Sequence, residues 1–132
     1  MSAAASLATE LATELAPARG TRAYRLRGDR AFEAVFRTGQ RFDGRFLQLV
    51  AAPAAADPGR IGFVIGRRAI PRAVDRNRLR RRLRVAVVAA RPAASRFDVI
   101  LRVRQPVARA DIESAADEGA VLLGRLCAGA AA

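Results

Sequence analysis

The fold of this chain is decided by one stretch of its sequence, IGFVIGRRAIPRAVDRNRLRRRLRVAVVAA, residues 61–90. Its first part, together with Arg60 just before it, is typical of a short apolar strand, Arg60 to Gly66, followed by two arginines. Its last part is typical of a helix, Asp75 to Ala90, in which Leu79 and Leu83 recur at helical spacing. A strand followed by an amphipathic helix predicts a domain in which the helix packs its leucine face on a sheet.

Upstream of this stretch, the sequence predicts one helix, one strand and room for a further strand. The helix spans Asp29 to Thr38, with Asp29 as a possible N-terminal cap and Gly39 where a C-terminal cap belongs. The strand spans Arg45 to Ala51, and we expect it to form a hairpin with the strand Arg60 to Gly66. Another short strand fits between Gly39 and Ala51.

Downstream, the sequence predicts a strand from Phe97 to Arg104 and a final helix from Asp111 to Leu126. The strand alternates apolar and polar residues, although Ile100 falls on the polar side. The predicted order, α-β-β-(β)-α-β-α, makes an α/β sandwich of the α+β type. We assign residues 21–128 to this domain, residues 1–20 to an alanine-rich, disordered extension, and residues 129–132 to a C-terminal tail.

The charge of the chain predicts a polyanionic partner. The formal net charge is +12, and all 24 basic residues are arginine. Nucleic acid, an acidic membrane surface and an acidic protein all fit this charge. Arginine grips phosphate with two bonds and stacks on bases, which suits RNA.

Composition also excludes several function classes. The chain has no histidine and one cysteine, Cys127, so thiol or histidine catalysis and cysteine metal sites are close to excluded. The carboxylates are scattered, without convincing spacing for metal ligands. No run of about 18 apolar residues could span a membrane. A single cysteine fits a reducing cytoplasm, which is the expected location.

The helix Asp75 to Ala90 carries a dense run of arginines from Arg76 to Arg84. Acidic partners at helical spacing are missing, with Asp75 the one carboxylate nearby in the sequence. Such a face favours contact with RNA phosphates, and a solvated charged face is the alternative. Asn77, between two arginines, offers an amide that can bind a base edge or a ribose hydroxyl.

These residues resemble the signature of a known family. Arg76-Asn77-Arg78, with the basic run up to Leu83-Arg84, is similar to the RNR motif of the bacterial ribonuclease P protein component. The resemblance covers about Arg25 to Leu126. It includes Ile61-Gly62-Phe63, the Arg67-Arg68 pair, the first-helix pattern Phe32-x-x-Val35-Phe36-x-x-Gly39, and the last strand from Phe97 to Leu101.

The resemblance implies a fold and a function. It implies a ribosomal-protein-S5-domain-2-like sandwich with a left-handed βαβ crossover, where general rules favour the right-handed one. It implies a non-catalytic protein subunit of an endoribonuclease that removes the 5′ leader of precursor tRNA. The partners would be the catalytic RNA and precursor tRNA, with no membrane and no obligate protein partner. Catalysis would lie in the RNA, and Mg²⁺ would be held mainly by that RNA and the substrate.

The resemblance also implies two sets of binding residues and no catalytic or metal-ligating residue. Single strands are held by aromatic stacking in a basic groove, so a cleft between the sheet and the first helix would bind the leader. The phenylalanines can also be ordinary core residues, because helical spacing does not separate the two roles. The catalytic RNA would contact Arg67, Arg68, Arg76, Asn77, Arg78, Arg81, Arg82 and Arg84. The leader would contact Phe32, Phe36, Arg45, Phe46 and Arg60.

Three other functions fit parts of the sequence. A general RNA-binding or ribosomal protein without a nuclease role fits the composition equally well. A DNA-binding protein could place the arginine-rich helix in a major groove, but no helix-turn-helix pattern precedes it. A stand-alone nuclease ranks last, because it needs clustered carboxylates.

Overall fold

The structure is a computed structural model that describes residues 25–56, 58–91 and 93–131, and this part of the chain folds into one mixed α+β unit. The predicted fold class is confirmed, and the additional strand after Gly39 is present. The predicted extension, residues 1–20, lies outside the described residues. In chain order, the helices and strands are α1 (Asp29–Thr38), β1 (Gln40–Asp43), β2 (Leu47–Pro53), β3 (Ile61–Val64), α2 (Ala73–Ala89), β4 (Phe97–Val103) and α3 (Ile112–Ala131).

The four strands form one sheet in the order β1-β2-β4-β3. β2 pairs antiparallel with β1 and with β4, whereas β3 pairs parallel with β4. The predicted hairpin between Arg45–Ala51 and Arg60–Gly66 is therefore wrong. β1 and the seven-residue β4 occupy both edges of β2, so β3 joins the far side of β4. A parallel pair needs a long crossover, which α2 provides. The left-handed sense of this crossover stays a prediction.

The larger core lies on the face of the sheet that α2 and α3 cover. Leu79 and Leu83 of α2 are fully buried there, as the helical spacing predicted. α3 packs along α2 and on β1 and β2. Burying each such leucine contributes about 1.5–3 kcal/mol. The buried residues that the sheet and α3 add include Leu47, Leu49, Val99, Leu101, Ile112, Leu122, Leu123 and Leu126.

A smaller core lies on the opposite face, where α1 packs on β2 and β4. Val35 of α1 contributes to it together with Leu26, Val50 and Ile100. Ile100 has no exposed surface, so its assignment to a polar side was wrong. The reason is that α1 covers this part of the sheet, so β4 is buried on both faces.

The start of α1 depends on a feature that differs from the expected cap, and α2 begins at Ala73, before the predicted Asp75. The residue before α1 is Gly28, whose φ of 87° is a conformation that glycine adopts without strain. Asp29 is therefore in the first turn and not the N-cap. In α2, Asp75 is buried, and its carboxylate lies 3.6 Å from Nε of Arg109. This contact ties the start of α2 to the turn before α3.

Candidate nucleic-acid interface

The first arginine of the RNR motif holds the loop that precedes its own helix. Arg76 donates hydrogen bonds to the carbonyl oxygens of Ile70 and Pro71, at 2.9 and 2.8 Å. These bonds fix the segment between β3 and α2. Arg67 and Arg68 lie in that segment and are exposed. The structure thus places the predicted pair beside α2, with Arg76 in a positioning role.

Two further arginines of α2 face α3. Arg78 binds the carboxylate of Glu113 at 2.8 Å, and Arg82 contacts the other oxygen of that carboxylate. Arg82 also lies 3.7 Å from Asp117. The hydrogen bond from Arg78, with the nearby charge of Arg82, holds the pKa of Glu113 below its usual value. The helix itself offers these arginines no acidic partner at helical spacing, as predicted, but α3 supplies two carboxylates from a distant part of the sequence.

The outward face of α2 carries Asn77 and Arg81, both exposed. Arg80 donates a hydrogen bond to Oδ1 of Asn77 at 2.9 Å, which fixes the amide. Within the described part of the chain, Arg81 has no ion pair. Two valines flank this face, Val74 with 59% and Val85 with 68% of their surface exposed. The outward face therefore combines a free cation, an amide and apolar surface.

The remaining flank of α2 borders a cavity at the β3 edge of the sheet. Arg80 and Arg84 line this space of about 430 Å³, and Phe32 of α1 lines its other side. Phe32 packs directly against β3, because a Cβ added to Gly62 would lie 2.6 Å from its ring. The cavity therefore brings a predicted leader residue and the RNR helix together at one edge.

Phe36 lies beside a different set of basic residues, on the face of the sheet that α1 partly covers. The guanidinium groups of Arg102 and Arg41 lie 5.4 and 5.8 Å from its ring centroid. Arg41 also donates to the carbonyl oxygen of Phe36 at 2.9 Å and to Gln48 at 3.4 Å. Gln48 donates to Asp43 at 2.8 Å. We call Phe36, Arg41, Gln48 and Arg102 the aromatic-basic cluster.

Sequence reasoning missed three of these four residues. Arg102 had a signal, since it lies on the polar side of the predicted last strand. Its Nε is buried without an acceptor among the described residues. Arg41 and Gln48 depend on the pairing of β1 with β2, in which Arg41 faces Val50. No boundaries had been predicted for β1, so its side chains could not be assigned to a face.

Arg45 and Phe46 are not part of this cluster. The backbone N–H groups of residues 45, 46 and 47 all donate to the carboxylate of Glu118 in α3, at 2.6–2.8 Å. Phe46 is 6% exposed and belongs to the larger core. The guanidinium of Arg45 lies 4.8 Å from its ring. The structure therefore places Phe46 in the core and Arg45 on an exposed turn, because α3 holds the turn.

Arg60 is also separate from Phe36. It borders a cavity of about 130 Å³ on the side of α1 that carries Ala34 and Thr38. Its backbone N–H donates to Oδ1 of Asp98 at 2.8 Å. Asp98 is buried and also accepts the N–H of Ala55. The five predicted leader residues therefore lie in four separate places. Phe36 lies on the sheet face that α1 partly covers, and Phe32 lies at the β3 edge of the sheet.

Most carboxylates of the described residues are engaged with the protein's own donors. Glu118 and Asp98 accept backbone N–H groups, while Glu113 and Asp75 contact arginines. Over residues 25–56, 58–91 and 93–131, no three His, Cys, Asp or Glu side chains come together in a way that could hold a metal ion. This donor set therefore does not fit a protein-held Mg²⁺.

The comparison with protein families decides the assignment. A family model described as "Ribonuclease P" matches residues 21–127, which include α2, the aromatic-basic cluster and both cores. The chain belongs to the ribonuclease P protein family. The three residues of its RNR motif point to different places: Arg76 holds the loop, Asn77 faces outward and Arg78 contacts α3.

Curated relatives in the ribonuclease P protein family support this assignment. A protein of Acidothermus cellulolyticus, named ribonuclease P protein component, is 43% identical over 107 residues, covering 78% of this chain and 88% of the relative. One of Chloroflexus aggregans, with the same name, is 42% identical over 86 residues, covering 64% of this chain and 63% of the relative.

Solved structures of the ribonuclease P protein family share the fold. A mutant RNase P protein of Staphylococcus aureus aligns with a TM-score of 0.67 at 18% identity, covering 86% of this chain and 93% of the other. The RNase P protein of Thermotoga maritima aligns with a TM-score of 0.62 at 22% identity, covering 76% and 96%. Across the described residues, no helix is both long and apolar enough for a membrane span.

Proposed function

We propose that this chain is the protein subunit of a cytoplasmic ribonuclease P, which assists a catalytic RNA in removing the 5′ leader of precursor tRNA. The single observation that carries the proposal is the position of Phe36, which is half-buried on the sheet face that α1 partly covers, with two guanidinium groups over its ring. Aromatic rings beside basic groups hold single-stranded nucleic acid with little sequence preference. A leader that varies among tRNA precursors needs this kind of grip.

The leader would lie across the aromatic-basic cluster. A base can stack on Phe36, while Arg41 and Arg102 bind the adjacent phosphates. The buried Nε of Arg102 lacks an acceptor among the described residues, and a small movement of this side chain would let a phosphate oxygen or a water molecule reach it. Phe32, at the β3 edge, would extend the same path towards α2.

The catalytic RNA would bind along α2. Arg81 and Asn77 face outward there, and Arg67 and Arg68 lie on the loop that Arg76 holds. Each arginine that neutralises a phosphate releases counterions, so the helix contributes affinity that depends on salt. The two surfaces meet at the cavity that Phe32 shares with Arg80 and Arg84, so one small domain can join leader and catalytic RNA.

The hydrolysis itself would take place in the RNA. Most carboxylates of the described residues accept hydrogen bonds or ion pairs from the protein, and no three of them come together in a way that could hold a metal ion. Mg²⁺ would therefore be held mainly by the catalytic RNA and the substrate phosphates. The protein's residues would bind the leader, distinguish precursor from product and neutralise RNA charge.

The test is cleavage of a precursor tRNA at low Mg²⁺ by a bacterial ribonuclease P RNA, with and without this protein. We expect strong stimulation by the protein and no cutting by the protein alone. Arg102→Gln should reduce the stimulation, whereas Arg96→Gln, an exposed arginine before β4, should not. Tight RNA binding without stimulation would instead support a general RNA-binding protein.

A further inference from the structure

One carboxylate of α3 occupies two arginines of the RNR helix. Glu113 presents one oxygen to Arg78 at 2.8 Å and the other to Arg82. The three side chains are 44–47% exposed, so the contact lies at the surface and open to RNA. Arg78 and Arg82 are four residues apart on α2, and the carboxylate bridges them from the neighbouring helix.

The geometry of this contact is that of a bound phosphate. Arginine forks bind carboxylate and phosphate with the same donors, and an anion held by two guanidinium groups is a good match for either. A phosphate that approached both arginines would meet the carboxylate at close range, where like charges repel. Glu113 and an RNA phosphate therefore cannot both occupy the space between Arg78 and Arg82.

We propose that Glu113 is an internal competitor for RNA phosphate at Arg78 and Arg82. The Glu113 carboxylate prevents weakly bound RNA from contacting this arginine pair. RNA that binds along the whole of α2 displaces the carboxylate from the pair. The proposal rests on the proposed function, because it assumes that RNA binds along α2. Glu113 is then a specificity-determining residue, since it weakens binding to any RNA that cannot offset its displacement.

A purely structural role is a poor explanation for the contact. Exposed ion pairs contribute little to stability, and α2 and α3 already share a buried apolar interface. The depressed pKa of Glu113 agrees with a carboxylate held by two cations at neutral pH. Asp117, 3.7 Å from Arg82, adds a weaker negative charge on the same side.

The test compares Glu113→Gln with Glu33→Gln, which removes the same charge from the exposed side of α1. Binding of poly-uridylate is measured over a range of salt concentrations. We expect Glu113→Gln to tighten binding about 3- to 10-fold more than Glu33→Gln does, as displacing one or two exposed ion pairs would. The slope of log K against log salt should steepen by up to about 1.4, which is two phosphate contacts on a single strand.

A double-mutant cycle then assigns the gain to the arginine pair. In a background with Arg78→Gln and Arg82→Gln, the substitution Glu113→Gln should no longer tighten binding. Equal effects of Glu113→Gln and Glu33→Gln would overturn the proposal, and so would weaker binding by Glu113→Gln, which indicates that the carboxylate orients the arginines for RNA. Thermal unfolding of each variant shows that the fold is retained.

Failure of the proposed function would be seen separately. If the unsubstituted protein does not stimulate precursor cleavage by a ribonuclease P RNA, the proposed function fails. The poly-uridylate comparison still measures competition at Arg78 and Arg82, because it uses no ribonuclease P substrate or catalytic RNA.

Discussion

Phe36 offers an aromatic ring beside the guanidinium groups of Arg41 and Arg102. We expect Phe36→Ala to weaken binding of precursor tRNA to the assembled ribonucleoprotein by about 1–3 kcal/mol, the value of one stacked base. Binding of mature tRNA, which has no leader, should change little. The measurement is the Kd of both tRNAs for the holoenzyme.

The matched control is Phe46→Ala, which removes a ring from the larger core. That substitution should lower the free energy of unfolding by about 3–5 kcal/mol. It should not discriminate between precursor and mature tRNA. If Phe36→Ala weakened both tRNAs equally and lowered the melting temperature as Phe46→Ala does, Phe36 would be a core residue without a leader contact.

Glu118 is a residue whose role is structural. Its carboxylate accepts three consecutive backbone N–H groups in the β1–β2 turn. We expect Glu118→Ala to lower the free energy of unfolding by about 1.5–3 kcal/mol, because hydrogen bonds to a charged acceptor are lost. Urea denaturation measures this change. Asp117→Asn, at the next position and exposed, serves as the control and should leave stability nearly unchanged.

At the residue scale, the sequence predicted which way a side chain faces better than which residue it contacts. Leu79 and Leu83 are buried as their helical spacing indicated, and Asn77 and Arg81 face outward. The partners of Arg78 and Arg82 come from α3, about 35 residues away. Phe46 is a phenylalanine like Phe36, but it lies in the larger core. A contact between distant segments leaves no local pattern, so these outcomes could not be predicted from spacing.

The element that carries most of the basic charge is α2, and its arginines should differ in their effect on RNA binding. Arg81 faces outward without an ion pair among the described residues. We expect Arg81→Gln to reduce the slope of log K against log salt for the catalytic RNA by about 0.7–0.9. Arg37→Gln, at the exposed end of α1, should leave the slope unchanged. Equal slopes for the unsubstituted protein, Arg81→Gln and Arg37→Gln would show that the catalytic RNA does not contact Arg81.

The pairing of α2 with α3 should depend on pH. The hydrogen bond from Arg78 and the charge of Arg82 hold the pKa of Glu113 below its ordinary 4.5. A carboxyl group with a lowered folded-state pKa stabilises the fold above its unfolded pKa and loses that contribution as pH falls through the folded pKa. The melting temperatures of the wild type and Glu113→Gln should therefore differ by a small amount at pH 6–7, because an exposed ion pair contributes little to stability, and converge towards pH 3. A difference that persists in acid would contradict the assignment.

At the scale of elements, the helices were easier to predict than the strand partners. α1 has the predicted bounds, Asp29–Thr38, because its apolar spacing and the following glycine are local signals. The predicted hairpin failed because β2 and β3 are both short apolar strands, and nothing in either one indicates that β4 lies between them. The boundary residues of β1 were unpredictable, since half of its four side chains are arginine and aspartate.

For the whole molecule, the net charge of +12 opposes compaction. We expect anions to stabilise the free protein through its arginine-rich surfaces, because a ligand that binds only the folded state raises its stability. The melting temperature should therefore be higher in sodium sulfate than in sodium chloride of equal ionic strength. A matched experiment with Arg78→Gln and Arg82→Gln should show a smaller difference, and identical melting temperatures in both salts would contradict specific anion binding.

The hydrogen bonds from the β1–β2 turn to the carboxylate of Glu118 have a consequence for synthesis of the chain. The acceptor lies 73 residues after Arg45, the first donor, and β2 also waits for β4 as its second partner. Contacts of such long range form slowly, and domains fold during translation only as their partners emerge. A nascent chain that has not yet reached α3 lacks the acceptor for the N–H groups of its β1–β2 turn. Closing of the sheet and emergence of the last helix from the ribosome are therefore coupled events.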